Sequence, residues 1–346
     1  HATHESAYRS LVRWDANWYG RIAEHGYGSV HVVADGRPLA DYVFFPLYPG
    51  LERLLADVSG LRTVDAGLVI SAIASMVAAV GIFKVGEHVF DQRVGVILVA
   101  LWSALPISVV QSMAYSESLF TALTSWALFA ALRQRYLAAG LLAALAGLTR
   151  PLGGAVAMAV MVPALLHLRS VRLQASRGTS GRPELAGSLL GFLLAPTGTL
   201  GFLAYVAVRK DDALGYFSVT QGWGNGVDGG VTFFRWSVAL FRENAVVGLL
   251  LLAALALLLL QLVWMVRRRY PVPLLIFTVT SVMVAFSTSG YFGSKPRYLL
   301  PVFPLLMPLA VWLGRLRIGR VCAVLTVVAL TSMLYGVIWL FGSGPP

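Results

Sequence analysis

The stretch RWDANWYGRIAEHGY at positions 13–27 places one carboxylate, Asp15, between Trp14 and Trp18. A carboxylate beside aromatic walls can serve as a general base, drawing a proton from a hydroxyl as it attacks. The same residue could instead cap a short helix whose aromatics anchor it at a membrane surface. Both readings predict a helix that starts at Asp15 and ends at Gly26. On it Asp15, Trp18, Tyr19 and Ile22 share one face by their i, i+3, i+4, i+7 spacing.

Three other stretches carry polar groups beside apolar runs. AYSESLF at 114–120 offers Tyr115 and Glu117, LTRPLGG at 148–154 offers Arg150, and GYFGSKPRYLLP at 290–301 offers Lys295 and Arg297. Each cation alone could snorkel to the interface, and Glu117 could complement a helix dipole. Three cations returning to one side of one bundle point to a shared anion site, for which a phosphate is the simplest occupant. In FFPLYPGLERLL at 44–55, Phe44, Phe45 and Tyr48 form a rigid apolar wedge. It could dock on the bilayer or wall a lipid-lined cavity. Asp211 and Asp212 lack partners at ligand spacing, and His25 and His88 form no paired motif, so no metal site is expected.

The elements that must position these groups are membrane helices. The 346 residues are 58% hydrophobic and 12% charged, which excludes an ordinary soluble protein. Apolar windows predict ten helices at about 65–88, 94–110, 118–133, 137–150, 153–168, 187–208, 244–266, 272–289, 298–314 and 318–341. Pro106, Pro163 and Pro196 fall inside these windows. Cys322, the one cysteine, lies in an apolar run and excludes an internal disulfide.

With residues 1–64 placed outside, the short alternate loops hold thirteen arginines, Arg133, Arg177, Arg268, Arg269 and Arg315 among them. All but Glu87, Asp91 and Glu184 of the sixteen carboxylates then face outward. The net charge of +11 is thereby a matter of sidedness, not of nucleic-acid binding. The organisation expected is an external segment at 1–64 with interfacial helices. A single bundle at 65–346 follows, interrupted by an external loop at 209–243.

WDANWYGRIAEHGY, then FFPLYP, YSESLF and an arginine-proline-glycine turn, resemble the PIG-V family of mannosyltransferases and its bacterial relatives. Those membrane enzymes add the second mannose to glycosylphosphatidylinositol anchors. The resemblance implies an all-α polytopic membrane protein with the GT-C glycosyltransferase fold. Its catalytic acid would stand in the first external loop, after a first membrane helix; Asp15 matches that position, and such a helix is expected ahead of His1. The implied donor is polyprenyl-phosphate mannose, with no further cofactor. The arginine- and alanine-rich composition points to an actinobacterial plasma membrane, where such anchors are not expected, so the extracytoplasmic acceptor stays open.

A polyprenyl phosphate leaves as a stable anion, so no general acid is needed beside the base. On this reading Asp15 is the base, and Arg150, Lys295 and Arg297 hold the donor phosphate. Trp14, Trp18, Tyr19, Tyr115 and Glu117 would meet sugar or acceptor, while Phe44, Phe45 and Tyr48 guide the lipid. The product would be an inverted, α-linked mannoside. A transporter or flippase of a polyprenyl-linked lipid is the rival, and it should show access from both sides and paired halves.

Overall fold

In lipid a segment must close its backbone hydrogen bonds within itself, so long apolar runs of Ala, Leu and Val fold as helices. The computed structural model describes residues 7–33, 36–175, 182–290 and 292–340. Arg177 and the last residue of the final expected span, Phe341, lie outside them.

The first segment comprises α1 (Ala7–Leu11), α2 (Asp15–His25), the strands β1 (Val30–Val32) and β2 (Pro38–Ala40), and α3 (Leu47–Ser59). The bundle opens with α4 (Thr63–Val89), α5 (Gln92–Ser103), α6 (Glu117–Leu132), α7 (Tyr136–Gly147), α8 (Gly153–Ala175), α9 (Arg182–Leu194) and α10 (Thr197–Lys210). The second polar segment forms α11 (Gly215–Gly222) and α12 (Val231–Glu243). The chain returns through α13 (Ala245–Arg267), α14 (Val272–Ser287), α15 (Lys295–Leu299), α16 (Met307–Gly314) and α17 (Ile318–Leu340).

Every expected span has a helical counterpart, but not every one is a straight crossing. Five stretches are long and apolar enough to cross: Thr63–Val89, Gly153–Leu173, Leu185–Lys210, Ala245–Arg267 and Ile318–Ile338. The expected 94–110 helix breaks before Pro106 into α5 and a 3-10 turn, Pro106–Ser112, bent by 83°. Proline removes a donor and disfavours helical backbone before it, and the chain turns there. Helices α6, α7 and α14 are short apolar helices, as is the stretch Phe303–Gly314. Pro163 stays inside α8, whereas Pro196 is the break between α9 and α10.

Small residues let the bundle close. A Cβ on Gly191 of α9 would collide with the Tyr136 carbonyl of α7, and one on Gly198 of α10 with that of Ala144. Backbones can approach this closely only across glycine, the usual device of membrane helix packing. At the other extreme α13 has only 6% of its most apolar window covered by protein, so lipid must cover the rest. The chain is a multi-pass membrane protein, mostly helical, and its described residues include one antiparallel hairpin, β1–β2, that the apolar pattern did not predict.

Candidate active site

As expected, α2 begins at Asp15 and is closed by Gly26 in the left-handed region, φ 77°. Asp15 is not its cap, however. Trp14 occupies the cap position with φ 56°, a conformation few bulky residues adopt, and makes no side-chain capping bond. Neighbours on both sides hold that turn. The Arg13 guanidinium lies 3.9 Å from the Trp14 ring centre, and the Tyr115 hydroxyl donates to the Arg13 carbonyl at 3.2 Å. Backbone strain of this kind persists only where the surroundings impose it, and it aims the Asp15 carboxylate into the bundle.

That carboxylate meets Arg297. The guanidinium donates through one terminal nitrogen to Asp15 Oδ2 and through Nε to Glu117 Oε1. Arg150 pairs with the same oxygen of Glu117. The result is an alternating chain, Asp15–Arg297–Glu117–Arg150, with two acids and two cations. Planar guanidinium suits this bridging because its donors diverge in a fixed fork. The Asp15 side chain is 24% exposed, against 9% for both arginines and 0% for Glu117. Only the Asp15 end of the chain meets solvent.

The elements explain the convergence. Glu117 starts α6, Arg150 sits in the turn between α7 and α8, Arg297 lies on α15, and the 113–116 turn packs beneath α2. The Arg297 guanidinium covers the Tyr115 ring at 4.6 Å. The Tyr19 hydroxyl shares a hydrogen bond of 2.8 Å with Ser116 Oγ, tying α2 to that turn. Burial pushes the Tyr19 phenol well above its usual pKa, so it stays a neutral hydroxyl.

The other residues singled out in the sequence lie around this chain of ions or beneath it. Lys295 does not join the cluster: its ammonium donates to the carbonyls of Ala285 and Thr288 and to Thr288 Oγ1, the last at 2.9 Å. It thereby satisfies the last carbonyls of α14. Glu117, Tyr19 and Tyr115 are buried: Glu117 pairs with both arginines, Tyr19 ties α2 to the 113–116 turn, and the Tyr115 ring lies under the Arg297 guanidinium. Trp18 packs on Phe44 at 5.8 Å and on Trp223 at 5.1 Å, and Tyr19 packs on the same Phe44 ring at 5.0 Å. Phe44, Phe45 and Tyr48 are buried too. Phe45 packs on Phe202, and the Tyr48 hydroxyl donates to the Gly67 carbonyl at 2.8 Å.

Three residues escaped the sequence reading. Asp41, beside β2, accepts from the amides of Gly28 and Ser29 at 2.9 and 2.8 Å and fixes the hairpin loop. Trp223 of the second polar segment donates to the Ala40 carbonyl at 2.9 Å, joining that segment to the first. Glu52 of α3 is fully buried against Gly67, where any side chain would collide with its carboxyl, and neither oxygen has a hydrogen-bond partner. Burial lifts its pKa to about 9, so it is neutral at physiological pH. Its spacing from Tyr48, i and i+4 on the apolar face of α3, was the available signal. No cluster of metal-ligating side chains occurs among the described residues.

Residues 46–194 match the family described as dolichyl-phosphate-mannose-protein mannosyltransferase. GPI alpha-1,6-mannosyltransferase 2 of Rattus norvegicus is 36% identical over 166 residues, covering 47% of this chain and 32% of that protein. The Mus musculus protein is 34% identical over 154 residues, 41% of this chain and 29% of its own length. The chain thus spans about a third of the length of the curated relatives it matches.

Among solved structures, ArnT from Cupriavidus metallidurans bound to undecaprenyl phosphate superposes with a TM-score of 0.57 at 17% identity. It covers 95% of this chain and 62% of its own. The apo Archaeoglobus fulgidus oligosaccharyltransferase superposes with 0.51 at 14% identity, covering 98% and 54%. These last two likenesses establish the fold. In sequence the chain is similar, over part of its length, to GPI alpha-1,6-mannosyltransferase 2, and in architecture it has the GT-C fold seen in ArnT and the oligosaccharyltransferase.

Proposed function

We propose that the chain is a membrane mannosyltransferase that moves mannose from polyprenyl-phosphate mannose to a hydroxyl of an extracytoplasmic lipid, glycan or protein. The observation that carries this reading is the placement of Asp15: it is the one partly exposed acid of an otherwise sealed ion chain, gripped by Arg297. The mannosyltransferase relatives support the sugar, and the undecaprenyl phosphate bound by ArnT supports the class of carrier. The arginines of the opposite loops support an outward-facing site in a bacterial plasma membrane.

In this reaction the acceptor O–H donates to Asp15 Oδ1, since Arg297 already engages Oδ2. The acceptor oxygen attacks the anomeric carbon from the face opposite the phosphate. The C1–O bond to phosphate breaks, its electron pair leaves with the polyprenyl phosphate, and the proton passes to Asp15. Attack from that face inverts a β-linked donor to an α-mannoside. Arg297 is the cation nearest the reacting acid, and guanidinium donors not used by the carboxylates can meet charge growing on the phosphate. Arg150 acts at one remove by holding Glu117, and Lys295 by fixing the end of α14. Trp14, half-buried and adjacent to Asp15, is the ring assigned to the sugar face.

Purified protein in lipid nanodiscs, where no gradient exists, should release polyprenyl phosphate and mannosylate an added acceptor lipid or glycan in equal amounts. A chain that moves the intact donor between the leaflets of a vesicle and leaves its mannose in place is a transporter, and the proposal fails.

A further inference from the structure

A cavity lies at the end of the bundle away from Asp15. α4 has 27 residues and so runs about 40 Å. It starts beside α2, where Thr63 donates to Glu24 at 2.7 Å, and ends in this cavity. The space measures about 640 Å³ and is lined by His88, Trp264, Arg268, Arg269, Tyr270 and Arg315, with Leu132 and Val311 supplying apolar wall. It is separate from the Asp15 cluster and takes no part in the reaction above.

Its charge is one-sided. Arg268, Arg269 and Arg315 contribute three guanidiniums, and the Arg268 group lies 5.1 Å from the Trp264 ring centre. The acids nearest in sequence are otherwise engaged: Glu87 pairs with Lys84 at 2.7 Å, and Asp91 accepts from the Val94 amide as the cap of α5. Loop arginines alone would be explained by membrane sidedness. Tyr270 is a separate observation. It is 5% exposed, packs on Phe90 at 5.5 Å, and its buried hydroxyl has no hydrogen-bond partner. A buried hydroxyl without a partner is costly, and a ligand acceptor at the cavity would remove that cost. Arg269, moreover, two residues past the end of α13, has φ 52°, in the left-handed region where glycine is usual.

We propose that this cavity binds the phosphate headgroup of an anionic membrane lipid in the leaflet opposite the candidate active site. The guanidiniums and the Tyr270 hydroxyl would meet the phosphate oxygens. The acyl chains would run along Trp264, Leu132 and Val311 into the lipid that surrounds α13.

The test uses the whole purified chain, stripped of lipid in detergent and titrated with phosphatidylglycerol or phosphatidylcholine of identical acyl chains under native mass spectrometry. Wild type should retain one phosphatidylglycerol with at least about a tenfold preference. The combined Arg268→Gln, Arg269→Gln, Arg315→Gln variant should lose that preference. Tyr270→Phe keeps the ring against Phe90 and should weaken phosphatidylglycerol binding about tenfold, with unchanged melting of the lipid-free protein. Equal retention of the two lipids, or a preference unaltered by Tyr270→Phe, overturns the proposal. Millimolar inorganic phosphate should leave the lipid in place; its displacement of the lipid would assign the site to the free anion instead.

Discussion

Arg297 and Asp15 stand 282 residues apart in the chain and meet in one ion pair, which ties the first polar segment to the last third of the bundle. Because the same guanidinium also grips Glu117, the acid at the mouth of the site is fixed by a group anchored in the core. Such anchoring suits the base proposed here, since misplacement by about 1 Å can cost on the order of 10²-fold in rate.

Replacing Arg297 by Lys keeps the charge but gives up the fork. A single ammonium cannot span both Asp15 and Glu117 in the same geometry. Transfer should fall by roughly 10- to 100-fold, with donor KM raised. Steady-state kinetics against polyprenyl-phosphate mannose check this, and wild-type values would remove Arg297 from the mechanism.

Glu117 should matter most for stability. Its removal leaves Arg150 and Arg297 facing each other in the buried part of the site. Breaking a buried ion network in this way costs about 3–5 kcal/mol. Glu117→Ala should therefore melt well below wild type in detergent. Adding Arg150→Met should recover part of the loss, because Arg297 then retains Asp15 as its partner. Additive losses would show that the two residues are not coupled.

Glu52 predicts a pH dependence. Its pKa is raised from 4.5 in the unfolded chain to about 9 in the fold. Between those values the folded state holds a proton that the unfolded state has lost. Stability is thus greatest below 4.5 on this account and falls as pH rises toward 9, by up to about 1.4 kcal/mol per pH unit. Melting temperatures of Glu52→Gln should fall less steeply over that window. An unchanged slope would place the dependence on other groups.

Trp223 should join the two polar segments. Trp223→Ala removes the contacts with Trp18 and Phe44 and the bond to the Ala40 carbonyl. Proteolysis of the 209–243 segment should then quicken, with a stability loss of about 3 kcal/mol. Equal cleavage rates in variant and wild type would mean that the segment is held by other contacts.

The sequence carried the helices well because hydropathy records what lipid demands of a backbone. It also carried the end of the bundle at which Asp15, Glu117, Arg150 and Arg297 gather, since each stands beside an apolar run. It could not show where a long side chain points. Lys295 and Arg297 sit two residues apart on α15, yet one turns back to the carbonyls of α14 and the other reaches the acids. Nor could it show that Glu117 would be sealed between two arginines, since both come from distant turns. The hairpin and Asp41 left no periodic trace, because three-residue strands are too short to show alternation.

The central claim is that Asp15 takes the acceptor's proton, and Asp15→Asn tests it most directly. Asparagine keeps the size and can still accept from Arg297, so the bundle should fold with near-native melting. Under single-turnover conditions with polyprenyl-phosphate mannose, the account predicts a loss of about 10²-fold or more in the rate of mannosyl transfer, with donor binding retained. Transfer at the wild-type rate by the folded variant would contradict it.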